Sequence, residues 1–551
     1  MLLPRVVSYG PVRATRLAAA CFACLTLFFL VRQFGSSYQS HPGSYAPPGT
    51  RASPWREWSN ATASSRSDEA IYLAHLIQKH SLSNEIPWYA RRIQTVPSGR
   101  SDRPSITSVG KSLMSRSGFT RVRADDENLR LGIQGPIKLP VAKSHKINEI
   151  DGSEMLFAIS TSFSRLIYAD NELVRDWGRW LTDGNKKSNG AGLILTLNRA
   201  SATNVATAKE ILAASGIDAV VFAAEGDVAT RYAELAHKLK KHSDENAAAG
   251  KRRKYLALVD DDVFFPSMAK LQQKLYRFNS DKEYYICAPS ERTDWVFDNN
   301  QAFTYGGGAV FLTTPLLDKL VQQSCLKQII RNDEAGDQWD MMLWHCVEQS
   351  GGLDLQVLPT FYDPREDFMY GDQGIILNEG YAQGLQALSL HHAQNTHRFD
   401  AGRGHLVADV CGEACFLQRF HFRDDWVLVN GYALTHYSEG VEAMPLRAKA
   451  PASENNQEEE RRTDVSAKLV IDAPDRPEDL SVVAWRGRKK TWKFLDAAVR
   501  DNGEVWQAYV NRRSANLLPE GEYDDRQPGD IVESEEEQSK EDSVIVLVWQ
   551  P

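Results

Sequence analysis

Four short apolar runs, spaced at helix-sized intervals, constrain this chain more than any other feature. They are Met155–Ser160 (MLFAIS), Leu193–Leu197 (LILTL), Ala219–Ala223 (AVVFA) and Tyr255–Val259 (YLALV). Helix-compatible stretches, Ala206–Ser215 and Ala229–His242, lie between the later runs. A strand apolar on both faces needs cover on both faces, so strands of this kind alternating with helices predict an α/β fold with a mostly parallel central sheet. In such sheets ligands bind at the carboxyl ends of the strands. No internal repeat is visible.

The regions outside this body read differently. Residues 35–150 are rich in Ser, Pro, Gly and Arg and contain one plausible helix, Asp68–His80. They read as a largely disordered stem. Residues 151–446 are assigned to the catalytic body, 447–466 to an acidic linker, and 467–551 to a small β-rich appendage with strand-like runs at Leu469–Ile471, Leu480–Trp485 and Val544–Trp549. An acidic stretch, Glu533–Asp542, precedes the last of them.

Ahead of the stem, Leu17–Val31 is an uncharged apolar run which, extended to Phe34, is just long enough to span a thin bilayer. Arg5, Arg13 and Arg16 precede it without any acidic residue, so residues 1–16 are expected in the cytosol and everything after residue 34 in a lumen. No small-x-small cleavage site follows, which favours an uncleaved signal-anchor over a cleaved signal peptide. A short span suits an early secretory membrane. The net charge of −8 argues against a nucleic-acid partner. Of seven Cys, Cys21 and Cys24 lie inside the span. Cys411 and Cys415 are close enough for a small bridged loop, and Cys325 and Cys346 flank a helical stretch and are candidates to pair, leaving Cys287 over. Zinc at Cys411 and Cys415 lacks a second ligand pair. The sequon Asn60-Ala61-Thr62 falls on the luminal side.

The chemistry gathers at the end of the fourth run, where Tyr255–Val259 delivers Asp260, Asp261 and Asp262. Adjacent carboxylates repel, and a fold seldom keeps three together without a compensating cation. Carboxylate oxygens suit Mg²⁺ or Mn²⁺, ions that also bind phosphate oxygens. In an extended segment Asp260 and Asp262 would point to one side. A solvated acidic turn is the competing reading. Tyr305-Gly306-Gly307-Gly308 opens another apolar run; three glycines admit a ligand close to the backbone, or simply form a tight turn. Asp337 and Asp340 stand at the start of an apolar helical pattern, where a carboxylate serves as a cap, a general base, or both. Leu388-Ser389-Leu390 ends in His391 and His392, imidazoles able to complete a metal site.

In this order and spacing, strand-DDDVFF, YGGGAVF, WDMMLWHC and LSLHH resemble glycosyltransferase family 31, in its Fringe-like branch and most closely its fungal members. Leu156–Trp180 and Cys411–Tyr437 are similar to that branch as well, and the resemblance covers about Glu154–Tyr437. It implies a GT-A nucleotide-sugar-binding fold that transfers a sugar from a UDP-sugar to a glycan or glycoprotein acceptor, with Mn²⁺ and with inversion at the anomeric carbon, in the Golgi. Carried over residue by residue, it makes Asp262 and His391 (His392 in reserve) the metal ligands and Asp340 the catalytic base. Thr161 and Arg165 match the region that holds the uridine, Asp260 and Asp261 belong with them to the donor site, and Tyr305 with Gly306, Gly307 and Gly308 would line the donor sugar or the acceptor. Where relatives carry a second acid before the base, this chain has Trp339, and the Trp that usually follows LSLHH is Ala393. Trp295, Trp339 and Trp344 are candidates for stacking on sugar, with core packing expected for at least two. Two other readings fit the same residues: a metal-dependent phosphoesterase, and a carbohydrate-binding relative without turnover.

Overall fold

The structure is a computed structural model. It describes residues 67–100, 102–126, 129, 131–288, 306–331, 338–349, 355–358, 361–362, 386–391, 400–445, 481–485, 487–513 and 541–551. The expected anchor (17–34), the sequon, the acidic linker and the run at 469–471 lie outside these residues. Among the described residues no helix is long and apolar enough to cross a membrane. All of them belong to one compact unit, residues 50–551.

The four apolar runs form strands. β1 (Met155–Ser162), β2 (Gly192–Asn198), β3 (Ala219–Ala224) and β4 (Tyr255–Val259) join β5 (Tyr285–Ala288), β6 (Gly306–Thr313) and β7 (Leu355–Val357) in a seven-stranded sheet of order β7-β5-β6-β4-β1-β2-β3. Only β6 runs against its neighbours, antiparallel to β4 and to β5; the other pairings are parallel. The mixed, mostly parallel α/β sheet expected from the sequence is present.

Side-chain alternation divides each inner strand between two cores. Leu156, Ala158, Leu256 and Leu258 face a helical layer that includes α3 (Val228–Ala248) and α4 (Trp339–Gln349). Met155, Phe157, Ile159, Ala257 and Val259 face the opposite core, which takes in Trp177 and Trp180 of α1 (Tyr168–Leu181) and Ile211 and Leu212 of α2 (Ala202–Ala214) and reaches a second sheet. α3 is positioned by its own sequence: Asp227 caps it by accepting from Thr230 N (2.7 Å), and Ala229, Tyr232, Ala233, Ala236 and Leu239 make its apolar stripe.

The second sheet corrects the expected domain plan. It has ten strands, in the order 107–109, 419–422, 426–429, 433–437, 489–499, 505–511, 543–550, 85–97 and 120–123, with 134–141 also paired to 85–97. The helix Asp68–His80 forms as the sequence indicates, but it packs through Tyr72, Leu73 and Leu76 against Trp88, Trp506 and Val546 of this sheet. Within the described residues the expected stem is therefore folded from residue 67 onward. The C-terminal strands are not an appendage either: 543–550 is an interior strand, parallel to 85–97 and antiparallel to 505–511. The physical reason is long-range pairing. Strand 85–97 carries Arg91, Arg92 and Gln94 and shows no period of its own, but its backbone groups are met on both edges by distant segments. Asp542, at the end of the acidic stretch, is buried and accepts from Ser83 N (3.0 Å) and Arg513 N (2.8 Å).

Both expected cysteine pairs are bonded, Cys325–Cys346 and Cys411–Cys415, and Cys287 is buried with its thiol toward Gln356 O at 3.9 Å.

Candidate active site

The site is assembled where β4 ends. Because β1 runs parallel to β4 with Ile159 opposite Val259, Thr161 arrives level with Asp261. Because β6 runs the other way with Ala309 opposite Val259, the glycines at its start lie beside the same end, and Asp260 N donates to Gly308 O at 2.8 Å. The segment after the aspartates then pairs with a distant one: Phe264 and Leu390 exchange backbone hydrogen bonds at 2.9 and 2.8 Å, which sets His391 against the carboxylates.

The three aspartates have different sets of partners, with Arg165 and His391 each reaching two of them. Asp261 accepts from the Thr161 hydroxyl and pairs with Arg165 Nε at 2.8 Å, while Arg165 also reaches Asp262 at 3.6 Å. Arg165 is presented by the turn at Ser162, whose hydroxyl accepts from Arg165 N (3.2 Å). Burial, reinforced by the charges of Asp262 and Asp260, pushes the Asp261 carboxyl up to about 6 although Arg165 and Thr161 pull it down. Asp262 Oδ1 and Asp260 Oδ2 face His391 Nε2 at 3.3 and 3.5 Å. Asp260 Oδ1 accepts from Trp339 Nε1 at 2.8 Å and from the Tyr232 hydroxyl at 3.1 Å. The indole of Trp177 on α1 donates to Asp261 O at 3.1 Å, holding the turn from below.

His391 is buried, and its seat depends on one glycine. Gly308 has φ +76°, and a Cβ there would lie 2.8 Å from His391 Cγ and from Val263 Cγ2. Only glycine combines that backbone with that closeness.

A metal is implied by this residue set, and the test is whether the donors fit. The separations at His391 are those of ion pairs, and among the described residues no three His, Cys, Asp or Glu side chains form a ready-made cage. The donor types nevertheless fit: carboxylate oxygens suit a hard divalent cation such as Mn²⁺, and imidazole is the commonest protein metal ligand. Asp262 and His391 are the pair that would hold it.

Of the residues singled out in the sequence, Thr161, Arg165, Asp260, Asp261, Asp262, Gly308 and His391 are brought together. Gly306 and Gly307 belong to the same strand start. Asp340 lies in the first turn of α4, half-buried, with Oδ1 accepting from Met341 N at 2.9 Å. It follows directly on Trp339, which is itself bonded to the cluster. Tyr305, Asp337, His392 and Trp295 lie outside the described residues. Trp344 is buried against Tyr285 in the helical layer. Sequence reasoning missed Tyr232 and Trp177 as supports of the aspartates. Both sit on amphipathic helices in positions that read as core, and no local signal distinguishes them.

A Fringe-like family model matches residues 209–404. That span contains the aspartates, the glycines, Trp339-Asp340 and His391, but not Thr161 and Arg165. No curated protein sequence matches the chain. Similar solved structures include the glycosyltransferase GlyE of Streptococcus pneumoniae TIGR4 (11% identity, TM-score 0.29), of which the chain covers 54% and which covers 43% of this chain. Mouse xyloside xylosyltransferase 1 is 13% identical with a TM-score of 0.23, over 44% of this chain and 98% of that one. The galactosyltransferase LgtC is 6% identical with a TM-score of 0.27, over 43% of this chain and 86% of that one. The chain thus spans about half the length of the first of these. The chain therefore carries a Fringe-like region at 209–404, which holds most of the residues that build the site.

Proposed function

We propose that this chain is an inverting, Mn²⁺-dependent transferase that moves a hexose or N-acetylhexosamine from a UDP-sugar to a hydroxyl of a glycan or glycoprotein, in β-1,3 linkage. The supporting observation is convergence: segments separated by up to 230 positions, from Thr161 to His391, meet on three adjacent aspartates at the carboxyl end of a buried strand. Likeness to the fungal branch of the family is part of this proposal.

Each residue then has a task. Asp262 and His391 bind the cation, which when present offsets the charge on the departing diphosphate. Thr161 and Arg165 stand where the nucleotide enters, with Arg165 able to exchange Asp261 for a phosphate oxygen. The glycine-bearing start of β6 lets the donor lie against the backbone. Asp340, as a carboxylate at a helix N-terminus, takes the proton of the acceptor hydroxyl while that oxygen attacks the anomeric carbon from the face opposite the leaving group. A single displacement of this kind needs no protein nucleophile. Two disulfides suit an oxidising lumen. They accompany the proposed topology, a single-pass signal-anchor at 17–34 with the catalytic body in the Golgi lumen.

The test is UDP release by the full chain with a panel of UDP-sugars and acceptors, with Mn²⁺ or with EDTA. Release with one donor, abolished by EDTA and lowered at least about a hundredfold by Asp262→Ala and by Asp340→Asn, is the expected result. Inorganic phosphate as the product would instead indicate a phosphoesterase. UDP binding without transfer to any acceptor would indicate a binding protein.

A further inference from the structure

The aspartate cluster has a support that the proposed chemistry does not use. Trp339 and Tyr232 lie face to face, ring centroids 4.2 Å apart and planes within 11°. Both are almost fully buried. Their polar ends converge on one oxygen, Asp260 Oδ1, at 2.8 Å from the indole nitrogen and 3.1 Å from the phenol. The indole has a single proton and spends it on Asp260; the phenol divides its own between Asp260 and Val259 O at 2.7 Å. Burial, followed by the charges of Asp260 and Asp261, holds the Tyr232 phenol well above its ordinary value, so it stays a donor. With Oδ1 occupied from two sides, the carboxylate cannot rotate, and Oδ2 is left turned toward His391.

The two rings come from different helices. Tyr232 belongs to α3, packed under β4, while Trp339 opens α4 and is bonded through the next peptide to Asp340. The clamp therefore spans the cluster and the helix that carries the proposed base. A tryptophan stacked on Tyr232 and hydrogen-bonded to Asp260 is committed to this task and is not a platform for a sugar ring.

We propose that Trp339 and Tyr232 are positioning residues that fix Asp260 by one oxygen and so set the spacing between the cation and diphosphate site and the base Asp340. This inference rests on the glycosyltransferase reading. The experiment is calorimetric titration of the full chain with UDP in the presence of Mn²⁺, beside kcat for the transfer, for the unsubstituted chain, Trp339→Phe, Tyr232→Phe and the double variant. At Tyr232 phenylalanine keeps the ring and removes only the hydroxyl donor; at Trp339 it keeps an aromatic face on Tyr232 but removes the indole N–H with part of the bicyclic ring. Losing a hydrogen bond to a charged group is expected to weaken UDP binding about tenfold in each single variant. Because the donors share one acceptor oxygen, the double variant should lose less than the product of the two. For Trp339→Phe, kcat should also fall while the acceptor KM stays within about twofold. Circular dichroism checks folding, and if Trp339→Phe does not fold, Tyr232→Phe decides alone. Folded variants that bind UDP as tightly as the unsubstituted chain overturn the proposal and leave the transferase reading standing. Absence of UDP binding by the unsubstituted chain overturns both.

Discussion

At the residue scale, the site depends on small groups whose importance is set by what lies beside them. Gly308 and Gly178 make the contrast. Gly308 has a positive φ and would drive a methyl group into His391 and Val263, whereas Gly178, in α1, has nothing within 4 Å of an added Cβ. Gly308→Ala is expected to cost at least about 1–2 kcal/mol from the backbone alone and to displace His391. A lower melting temperature and loss of UDP binding with Mn²⁺ would register both effects. Gly178→Ala should be neutral or stabilising by about 0.5–1 kcal/mol, read in the same melting experiment. The sequence marked the glycine run as special but did not distinguish its three members. That distinction comes from the packing of His391, some 80 positions away.

At the element scale, strands and helices that are apolar in a regular pattern were legible and the rest were not. Tyr255–Val259 and Asp68–His80 occur with the boundaries read from sequence, and β1, β2 and β3 differ by one or two residues. Their signal is local: period and composition within one segment. Helix α4 is tied to the preceding helix, Ser324–Arg331, by Cys325–Cys346, which closes a loop with a sequence separation of 21. Closing such a loop constrains the unfolded chain by about 3 kcal/mol. Cys346→Ser should lower the melting temperature by several degrees, and peptide mapping without reductant should recover the 325–346 pair. UDP binding should weaken as well, since α4 carries Trp339.

At the scale of the whole molecule, the ten-stranded sheet makes the described parts of residues 67–141 and 481–551 one body with the seven-stranded core. Removing residues 541–551 takes out an interior strand, and the shortened chain is expected to be insoluble or unfolded. A soluble, cooperatively melting product would refute the shared sheet. The same sheet carries Asp496, buried between His75, Lys79 and His80 of the N-terminal helix and Arg403 of the core. Burial alone would raise its pKa, but hydrogen bonds from His75 and His80 and the charges of Arg403 and Lys79 outweigh it and hold the carboxyl well below its ordinary range. A depressed carboxyl stabilises the fold above its unfolded value of 3.8 and loses that contribution as pH falls further, because the unfolded chain then binds the proton first. Thermal melts between pH 6 and pH 3 should show stability dropping at the acid end. Asp496→Asn should be less stable at pH 6, by about 3–5 kcal/mol, and less steep toward acid.

What the sequence determined by itself was whatever a single segment encodes: the buried strands and their helices, the carboxylates at a strand end, and the residue types that fit a cation and a sugar nucleotide. What only the tertiary structure decided was adjacency. Strand 85–97 is polar enough to pass for a stem until strand 543–550 covers its edge. Sequence alone does not assign partners to Asp260, Asp261 and Asp262; in the fold Trp339 and Tyr232 hold Asp260, Thr161 and Arg165 hold Asp261, and His391 lies between Asp260 and Asp262. Local patterning arises from side chains within a few positions of one another, whereas these assignments arise from backbone pairing and hydrogen bonds between segments tens to hundreds of residues apart, which leave no periodic trace in any one of them.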